Sequence, residues 1–579
     1  MRRLPNQLHG RTFACVVALT SIITAEAAQW RVPPGDGTND QTTVIQQLLD
    51  EAGNAGGGVV EVPAGRHVVR GTLSVPANVT LQGTFRVPPT VQRRRTGELG
   101  GSVLLVYTGR GKENGPPFIR LAGNNAAIAG LAISYPEWKQ SDVPPVPYPP
   151  CVLAEGVENV GIENCLFLNP YEAIKLVRAH RHLVRNVTGY PIKRGIYVDE
   201  CYDIGHIENV HFWPFGVVYK PDNPYCRWIN LHGVAFELAR TDWHYVLNTF
   251  CFGYGIGYKF SESAKGSANG NFLGLGADCC QRAVVVEQAQ EPGLLITNGE
   301  FVGRWSSTNA VCLEIAPQVR GKVSLVNCSF WGPIDRCVWM RSAVGQFTAS
   351  ACHFVHWDTA GIGSAAIQLD AGRAIVQGCT FEQEGTHVHI AESVKSALLV
   401  GNQAQGGFVA ENHAGHRTHL AANEPGPAEW TDEAKKHYRV SVGAEGDGQF
   451  LRRWHGREEG FRWSMAESQL RLPVVPNEPY TLTLKMNIPK TAISSEAGVY
   501  MEGKRLATLE AGHKTIRIEL PATEARQVIL KFVCAGWQPS HVHAESKDAR
   551  ILGIQLSEIT MRAKSAGPRL FHANTGEWK

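Results

Sequence analysis

The chain has 579 residues, of which 43% are hydrophobic and 19% are charged. A chain of this length and hydrophobic content can bury large cores, so intrinsic disorder is excluded and two domains are expected. Its 60 glycines indicate many tight turns without a collagen-like period, which argues against an all-helical bundle. The 56 basic and 53 acidic residues leave a formal charge of +3, so composition predicts neither nucleic-acid binding nor attraction to an anionic membrane.

The first 27 residues have the pattern of a secretory signal peptide. Arg2, Arg3 and Arg11 precede an apolar run over residues 13–24, and the small residues at 25 and 27 form a cleavage pattern. The run is too short to span a bilayer, and no later stretch of the sequence qualifies. We therefore predict a secreted or periplasmic protein without membrane insertion.

An internal repeat indicates the fold. Short segments that end in phenylalanine recur at residues 164–167, 209–212, 298–301, 327–330, 351–354 and 378–381. Several are followed by a second strand pattern that opens with a small residue, at 173–176, 195–198, 216–219, 283–286 and 310–313. The period of about 22 to 29 residues suits the wide coils of a parallel β-helix, in which each coil buries its inward side chains against its neighbours. Cys165, Cys328, Cys352 and Cys379 occupy one position of the repeat, which predicts an inward ladder rather than a metal or redox site.

A capping helix is predicted ahead of the coils, at residues 43–52, and it leads into a triple glycine at 56–58. This region resembles the N-terminal signature of the pectate-lyase-like superfamily of right-handed parallel β-helix proteins. The resemblance lies in residues 35–40, Gln46, the triple glycine and residues 62–65. Residues 135–137, 169–171 and 203–211 further resemble bacterial polygalacturonase-related proteins. The resemblance covers about residues 30–415 and implies a carbohydrate-active protein related to rhamnogalacturonases and polygalacturonases.

The chain changes character after the coils. Residues 421–429 contain Pro425, Gly426 and Pro427 and are predicted to be a linker. Beyond them, alternating apolar residues at 480–485 and 515–520, and an apolar run at 528–533, are typical of antiparallel strands. We predict an all-β protein: a catalytic right-handed parallel β-helix over residues 28–420 and a C-terminal antiparallel β-sandwich over residues 430–579.

Alternation along the second strand of each coil predicts an exposed strip. If Ile174, Leu176, Ile196 and Val198 point inward, and Val217 and Tyr219 do so one coil later, the residues between them point outward. The outward set is then Lys175, Tyr197, Asp199, Val218 and Lys220, continued by Lys259, Glu287, Glu314, Trp339 and Arg341. Carboxylates, cations and aromatic rings together suit an extended sugar chain.

A long gap in the repeat predicts the wall of a cleft. Residues 221–247 are expected to be an insertion beside Asp199, and such excursions often enclose a site. Glycoside hydrolysis usually needs two carboxyl groups, so Asp199 with Asp242 is the predicted catalytic pair, and Glu237 is the substitute. The predicted substrate-binding residues are Lys175, Tyr197, Lys220, Arg240 and Trp243.

Two alternatives to a glycoside hydrolase stay open. A polysaccharide lyase would cleave a uronic-acid glycan by β-elimination, with Lys175, Lys220, Lys259, Arg240 and Tyr197 as candidates, and calcium is expected only in that case. The same scaffold could also serve as a glycan-binding or envelope protein without catalysis. No other cofactor and no metal site are predicted, because His387 and His389 lack a third ligand in the sequence. The expected partner is a polysaccharide.

Overall fold

The computed structural model describes residues 30–86, 99–220, 222–304, 309–425, 430–543, 545, 546, 548 and 550–579. The predicted signal peptide and residues 426–429 of the predicted linker lie outside these ranges. The described chain forms a right-handed parallel β-helix that extends to residue 421 and a C-terminal β-sandwich. The predicted fold class is therefore confirmed.

One face of the β-helix is a parallel sheet of thirteen strands, called sheet 1 below. Each strand pairs in register with the corresponding strand of the coils before and after it. The strands of sheet 1 are Leu73–Val75, Ile119–Leu121, Val152–Glu158, Glu172–His180, Arg194–Asp199, Val234–Leu238, Ile256–Phe260, Arg282–Val286, Val311–Ile315, Arg336–Met340, Ile367–Leu369, Val388–Ile390 and Ala410–Asn412.

The rest of each coil belongs to a second parallel sheet of 25 strands, called sheet 2. Some of its strands run around a corner of the coil without a break, as Thr241–Phe252 does. The strands of sheet 2 are Trp30–Arg31, Asp36–Asp40, Gly58–Glu61, Gly65–Val69, Val79–Gln82, Ser102–Val106, Ala127–Ala129, Leu131–Ser134, Gly161–Glu163, Leu166–Leu168, Leu183–Gly189, His206–Phe212, Thr241–Phe252, Ala268–Cys280, Ala289–Thr297, Glu300–Gly303, Lys322–Val326, Ser329–Trp331, Gln346–Ser350, His353–Phe354, Gly372–Gln377, Thr380–Phe381, Val394–Val400, Gln403–Ala404 and Thr418–Ala421.

The interior of the coil is built from stacked apolar side chains. Ile174, Leu176, Ile196 and Val198 are at most 1% exposed, which confirms their predicted inward orientation. Aromatic rings continue the stack, with ring centroids 4.8 Å apart for Phe354 and Phe381 and nearly parallel planes. Because every inward row has a neighbour on the next coil, apolar surface is buried continuously along the axis.

A corner of the coil is held by asparagines in the left-handed backbone region. Asn164, Asn186, Asn209 and Asn248 have φ between 50° and 55°, a conformation that asparagine tolerates better than most residues. Their amides form a ladder: the side chain of Asn186 donates to Asn164 at 3.1 Å, and that of Asn209 donates to Asn186 at 2.7 Å. The repeated asparagine is therefore structural.

Two further predictions about the coil are confirmed. The capping helix spans Thr42–Asn54 and buries Ile45, Leu49 and Ala52 over the first coils. The four repeat cysteines at 165, 328, 352 and 379 are buried thiols inside the coil and form no disulfide. They act as small apolar residues in the stack.

The C-terminal domain is a mostly antiparallel β-sandwich around its own core, which includes Leu470, Leu482, Leu530 and Ile559. Its strands are His437–Ser441, Leu451–Trp454, Arg462–Pro473, Tyr480–Ile488, Gly498–Met501, Lys504–Thr508, Gly512–Leu520, Gln527–Val533, Gln555–Ala563, Phe571–His572 and Glu577–Trp578. Short helices span Pro224–His232 in the β-helix and Asp432–Lys436 and Pro539–Val542 in the sandwich region. None of the described helices combines the length and the apolar character that crossing a membrane requires.

Candidate functional site

Four polar side chains lie side by side on the outer surface of sheet 1. Lys175 pairs in register with Tyr197, Tyr197 with Glu237, and Glu237 with Lys259. Adjacent parallel strands are about 4.8 Å apart, so these residues occupy four successive steps along one row. We call Lys175, Tyr197, Glu237 and Lys259 the polar strip. Glu314 and Trp339 continue the same row further along the coil.

Glu237 supplies the carboxylate of the polar strip and is 7% exposed. Its Oε2 lies 3.1 Å from Nε of Arg194, and its Oε1 lies 3.5 Å from Nζ of Lys259. Lys259 also reaches Glu287, at 3.1 Å. The carboxylate of Glu237 therefore bridges two cations.

Tyr197 connects the polar strip to Asp199. Its hydroxyl donates to Oδ2 of Asp199 at 3.2 Å, and the guanidinium of Arg194 lies 4.7 Å from the centre of its ring. Burial and the carboxylate of Asp199 raise the pKa of Tyr197, against the opposing effect of Arg194. The phenol therefore stays protonated well beyond neutral pH.

Asp199 sits at the end of its strand and is 9% exposed. Besides the Tyr197 hydroxyl, it accepts hydrogen bonds from the backbone amides of Glu200 and Arg240 and from the hydroxyl of Ser263, at 2.8 to 3.1 Å. Four donors on one carboxylate fix its orientation. Asp199 is thus rigidly held beside the polar strip.

Asp242 lies outside the polar strip, near the start of the sheet 2 strand Thr241–Phe252. Both of its oxygens face the guanidinium of Arg240, and Oδ1 also accepts from Asn269 at 3.1 Å and Gln290 at 2.9 Å. Burial would raise the pKa of Asp242, but the hydrogen bonds from Arg240 and Gln290 outweigh burial and lower it. These contacts suit an ion pair that fixes the corner better than a proton donor.

Arg240 and Trp243 belong to this corner as well. Arg240 is occupied by Asp242 and lies over the ring of Tyr202 at 5.1 Å. Trp243 is 63% exposed, with φ of 49°. Its indole offers a flat apolar face next to Asp242, close to the end of the strand that carries Asp199.

Lys220 does not lie on the polar strip, contrary to the predicted register. Residues 216–220 form no strand, and Lys220 is exposed. The apolar pattern there has another cause: Val217 is buried in the core, and the ring of Tyr219 packs on Phe252 at 4.9 Å. The strand of this coil is Val234–Leu238, so Glu237 occupies the position assigned to the outward residues at 218–220.

The predicted insertion over residues 221–247 is shorter than expected. Only the segment up to the helix Pro224–His232 leaves the coil, and the chain rejoins sheet 1 at Val234. The helix packs on the Pro-rich loop before residue 150, where the indole of Trp138 donates to the Tyr225 hydroxyl at 2.9 Å. The helix and the loop lie next to each other at the edge of sheet 1 formed by the first residues of its strands. Glu237, Asp242 and Trp243, in contrast, belong to the coil itself.

Sequence reasoning missed Arg194. It opens the strand Arg194–Asp199 and contacts the carboxylate of Glu237, the ring of Tyr197 and, at 3.7 Å, the carboxylate of Glu172. Its position before the small residue Gly195 marks a strand start, but alternation alone assigns it to the inward parity of Ile196. At the first residue of a strand that parity no longer decides which way the side chain faces.

The polar strip is a row on the outer face of sheet 1, and two cavities lie elsewhere. A cavity of about 640 Å³ lies between the last coils and the sandwich and is lined by residues such as Trp357, Asp358 and Arg453, and another of about 710 Å³ lies in the sandwich beside Tyr500. Neither contains a predicted site residue. A flat row spanning several coils suits a polymer better than a small molecule.

Comparisons with known proteins show no close relation. No family model and no curated protein matches the chain. Similar solved structures include the A-modules of the mannuronan C-5 epimerases AlgE6 and AlgE4 from Azotobacter vinelandii and a mutant tailspike protein of E. coli bacteriophage HK620 in complex with a pentasaccharide.

The AlgE6 module is 14% identical with a TM-score of 0.40, over 69% of this chain and all of the module. The AlgE4 module is 13% identical with a TM-score of 0.33, over 68% of this chain and 96% of the module. The tailspike is 10% identical with a TM-score of 0.40, over 92% of this chain and 91% of its own. Values of this size support no transfer of residue roles.

Proposed function

We propose that the protein is an enzyme that cleaves an acidic polysaccharide lying along the polar strip. The observation that supports this most directly is the succession Lys175, Tyr197, Glu237, Lys259 on four neighbouring strands. It combines a carboxylate, a phenol and cations within reach of one sugar unit. The side chain of Lys175, at one end, forms no hydrogen bond or ion pair with the described residues, so its charge is available to an anionic ligand.

β-Elimination is the reaction that these groups fit best. Glu237, placed between two cations, would take the proton from the carbon next to the uronate carboxylate. Tyr197, held protonated, would give its proton to the glycosidic oxygen as the bond to the next sugar breaks and a carbon–carbon double bond forms. Lys175, Arg194 and Lys259 would neutralise the carboxylate and the charge that develops on it.

Hydrolysis is the second candidate, and the spacing of two carboxylates favours it. Asp199 lies two residues beyond Tyr197 and Glu237 lies one strand across, which puts their Cα atoms about 8 Å apart. Inverting glycoside hydrolases separate their carboxyl groups by about 6.5 to 9.5 Å, a range that this backbone spacing allows. Hydrolysis also requires a carboxylic acid that donates a proton, but the oxygens of Glu237 face Arg194 and Lys259, and those of Asp199 already accept four hydrogen bonds.

The test is product analysis on a panel of acidic and neutral polysaccharides. Elimination gives reducing ends together with the ultraviolet absorbance of an unsaturated sugar, whereas hydrolysis gives reducing ends alone. New reducing ends from neutral chains but not from uronic-acid chains would overturn the proposed substrate. Glycan binding without any cleavage would overturn the enzymatic proposal and favour a glycan-binding protein.

A further inference from the structure

Two histidines and a glutamate converge on the outer surface of the last coils, beyond the polar strip. Nδ1 of His389 lies 3.2 Å from one carboxylate oxygen of Glu411, and Nε2 of His413 lies 3.2 Å from the other. One ligand atom from each residue lies within 4.8 Å of the other two. In the sequence, His389 was considered as a metal ligand together with His387. His387, however, is fully buried and forms hydrogen bonds with the backbone of Gln383 and Val409.

The backbone holds these side chains in place before any ligand binds. His389 and Glu411 are register partners in the last two strands of sheet 1, Val388–Ile390 and Ala410–Asn412. The amide of His413 donates to the carbonyl of Ile390 at 2.8 Å, which ties the residue after the last strand back to the previous coil. Two stacked strands and one backbone bond therefore fix all three positions.

We propose that His389, Glu411 and His413 bind a divalent transition metal, with Zn²⁺ as the reference ion. Two imidazole nitrogens and one carboxylate oxygen are a donor set that zinc uses in proteins. Zinc–ligand bonds of about 2.0 to 2.1 Å in a tetrahedron place neighbouring ligand atoms about 3.3 Å apart. Each imidazole nitrogen lies 3.2 Å from a different oxygen of Glu411, close to that spacing.

The exposure of the three side chains leaves room for further ligands. His389, Glu411 and His413 are 24%, 47% and 52% exposed, so water or a ligand in solution can complete the coordination. Calcium and magnesium prefer oxygen donors, and the site supplies only one carboxylate, so these ions should bind much more weakly. The bound metal would link the last two coils of sheet 1.

The same geometry has a competing explanation. Two protonated imidazoles could pair with Glu411 as ordinary charged hydrogen bonds, with no metal involved. The two explanations differ in what they predict for added zinc. A metal site binds one Zn²⁺ per chain through all three side chains, whereas an ion-pair cluster binds none.

The experiment is titration of the metal-stripped full-length chain, without a histidine tag, with Zn²⁺ alone at neutral pH. We expect one equivalent to bind by calorimetry and to raise the midpoint of thermal unfolding, and Ca²⁺ to do neither. His413→Ala and Glu411→Gln should each weaken zinc binding at least about tenfold, since outer partners of a metal already matter by that factor.

Controls separate this site from general histidine chelation. His416→Ala changes a nearby residue outside the cluster, and His353→Ala changes an exposed histidine that faces Thr380 and a single carboxylate, Glu382. Both should bind zinc like the unaltered chain. Circular dichroism verifies that all variants are folded. The proposal is overturned if the unaltered chain binds no zinc, or if His413→Ala and Glu411→Gln bind it as tightly as the controls do.

Discussion

The most informative perturbation is Glu237→Gln, because the chain offers a matched control on the same row. Glu314 also lies between two cations, with Oε2 2.7 Å from Nε of Arg282 and Oε1 3.0 Å from Nη1 of Arg341. It is three strands further along sheet 1, about 14 Å from Glu237. Glu314→Gln therefore removes a similar pair of ionic contacts away from Tyr197.

The cost in stability should be similar for the two variants. At an effective dielectric constant of about 20, each contact of Glu237 is worth about 5 kcal/mol in gross Coulomb energy, most of it offset by desolvation. Removing one partner of a fully buried pair costs about 3 to 5 kcal/mol, but Arg194 and Lys259 are 27% and 22% exposed. We expect a net loss of about 1 to 3 kcal/mol in the free energy of unfolding for each variant.

The effect on activity should differ sharply. If Glu237 transfers a proton, Glu237→Gln should lower the rate of formation of unsaturated product by about 10² to 10⁴-fold, whereas Glu314→Gln should keep most of it. The assay follows initial rates of ultraviolet absorbance and reducing ends on one acidic polysaccharide, with urea unfolding measured in parallel. Equal losses of activity in both variants would refute the assignment, because the row would then act only through its stability or overall charge.

Three further predictions concern residues around the polar strip. Tyr197→Phe should abolish product formation. Because the pKa of Tyr197 is raised, the stability of the unaltered chain should fall as pH rises above the ordinary tyrosine value of about 10; urea unfolding of the variant should show a smaller fall, since other buried tyrosines such as Tyr190 and Tyr254 contribute the rest. Asp242→Asn should lower the free energy of unfolding at pH 7 by about 1 kcal/mol and leave turnover within a few-fold. Because the pKa of Asp242 is lowered, the difference in unfolding free energy between the variant and the unaltered chain should shrink as pH falls below about 3.8. A large loss of turnover would restore Asp242 to the catalytic pair. Asn186→Ala should cost about 1 kcal/mol more in urea unfolding than Asn186→Gly, since alanine loses the same two ladder bonds but keeps the strain of a positive φ, and equal costs would contradict the backbone argument.

The parts of the site that could be predicted depend on local alternation. Lys175 and Tyr197 each lie between two inward aliphatic residues of their strand, and two-residue periodicity assigns them outward directly. Their pairing across coils follows because both strands carry a small residue, Ala173 or Gly195, at the same place in the repeat. Glu314 and Trp339 were placed on the same row by the same reasoning.

Prediction failed where a strand-like pattern arose from other packing. Residues 216–219 alternate as a strand does, but Val217 is buried in the core and the half-buried Tyr219 packs on Phe252, and neither belongs to a strand. The true strand, Val234–Leu238, is just as apolar, and only its pairing with Arg194–Asp199 distinguishes the two segments. Pairing is a long-range property, so Glu237 was recognised as a candidate while its position beside Tyr197 was not.

Charge alternation on sheet 1 can be explained without any function. Parallel strands about 4.8 Å apart place outward residues of successive coils in contact, so like charges would repel and opposite charges stabilise the stack. Each contact of one series joins opposite charges, as this rule requires: the series runs from Glu172 to Arg194, Glu237, Lys259 and Glu287.

Lys175 is the residue that this explanation leaves out. Its neighbour on one side is Leu153 and on the other is Tyr197, so the stack offers it no carboxylate in register. The Lys175 side chain is half-buried and has no ion pair among the described residues, so charge pairing along the stack does not account for it. An anionic group of a bound glycan would supply the missing partner at the point where the phenol of Tyr197 and the carboxylate of Glu237 follow on the next two strands.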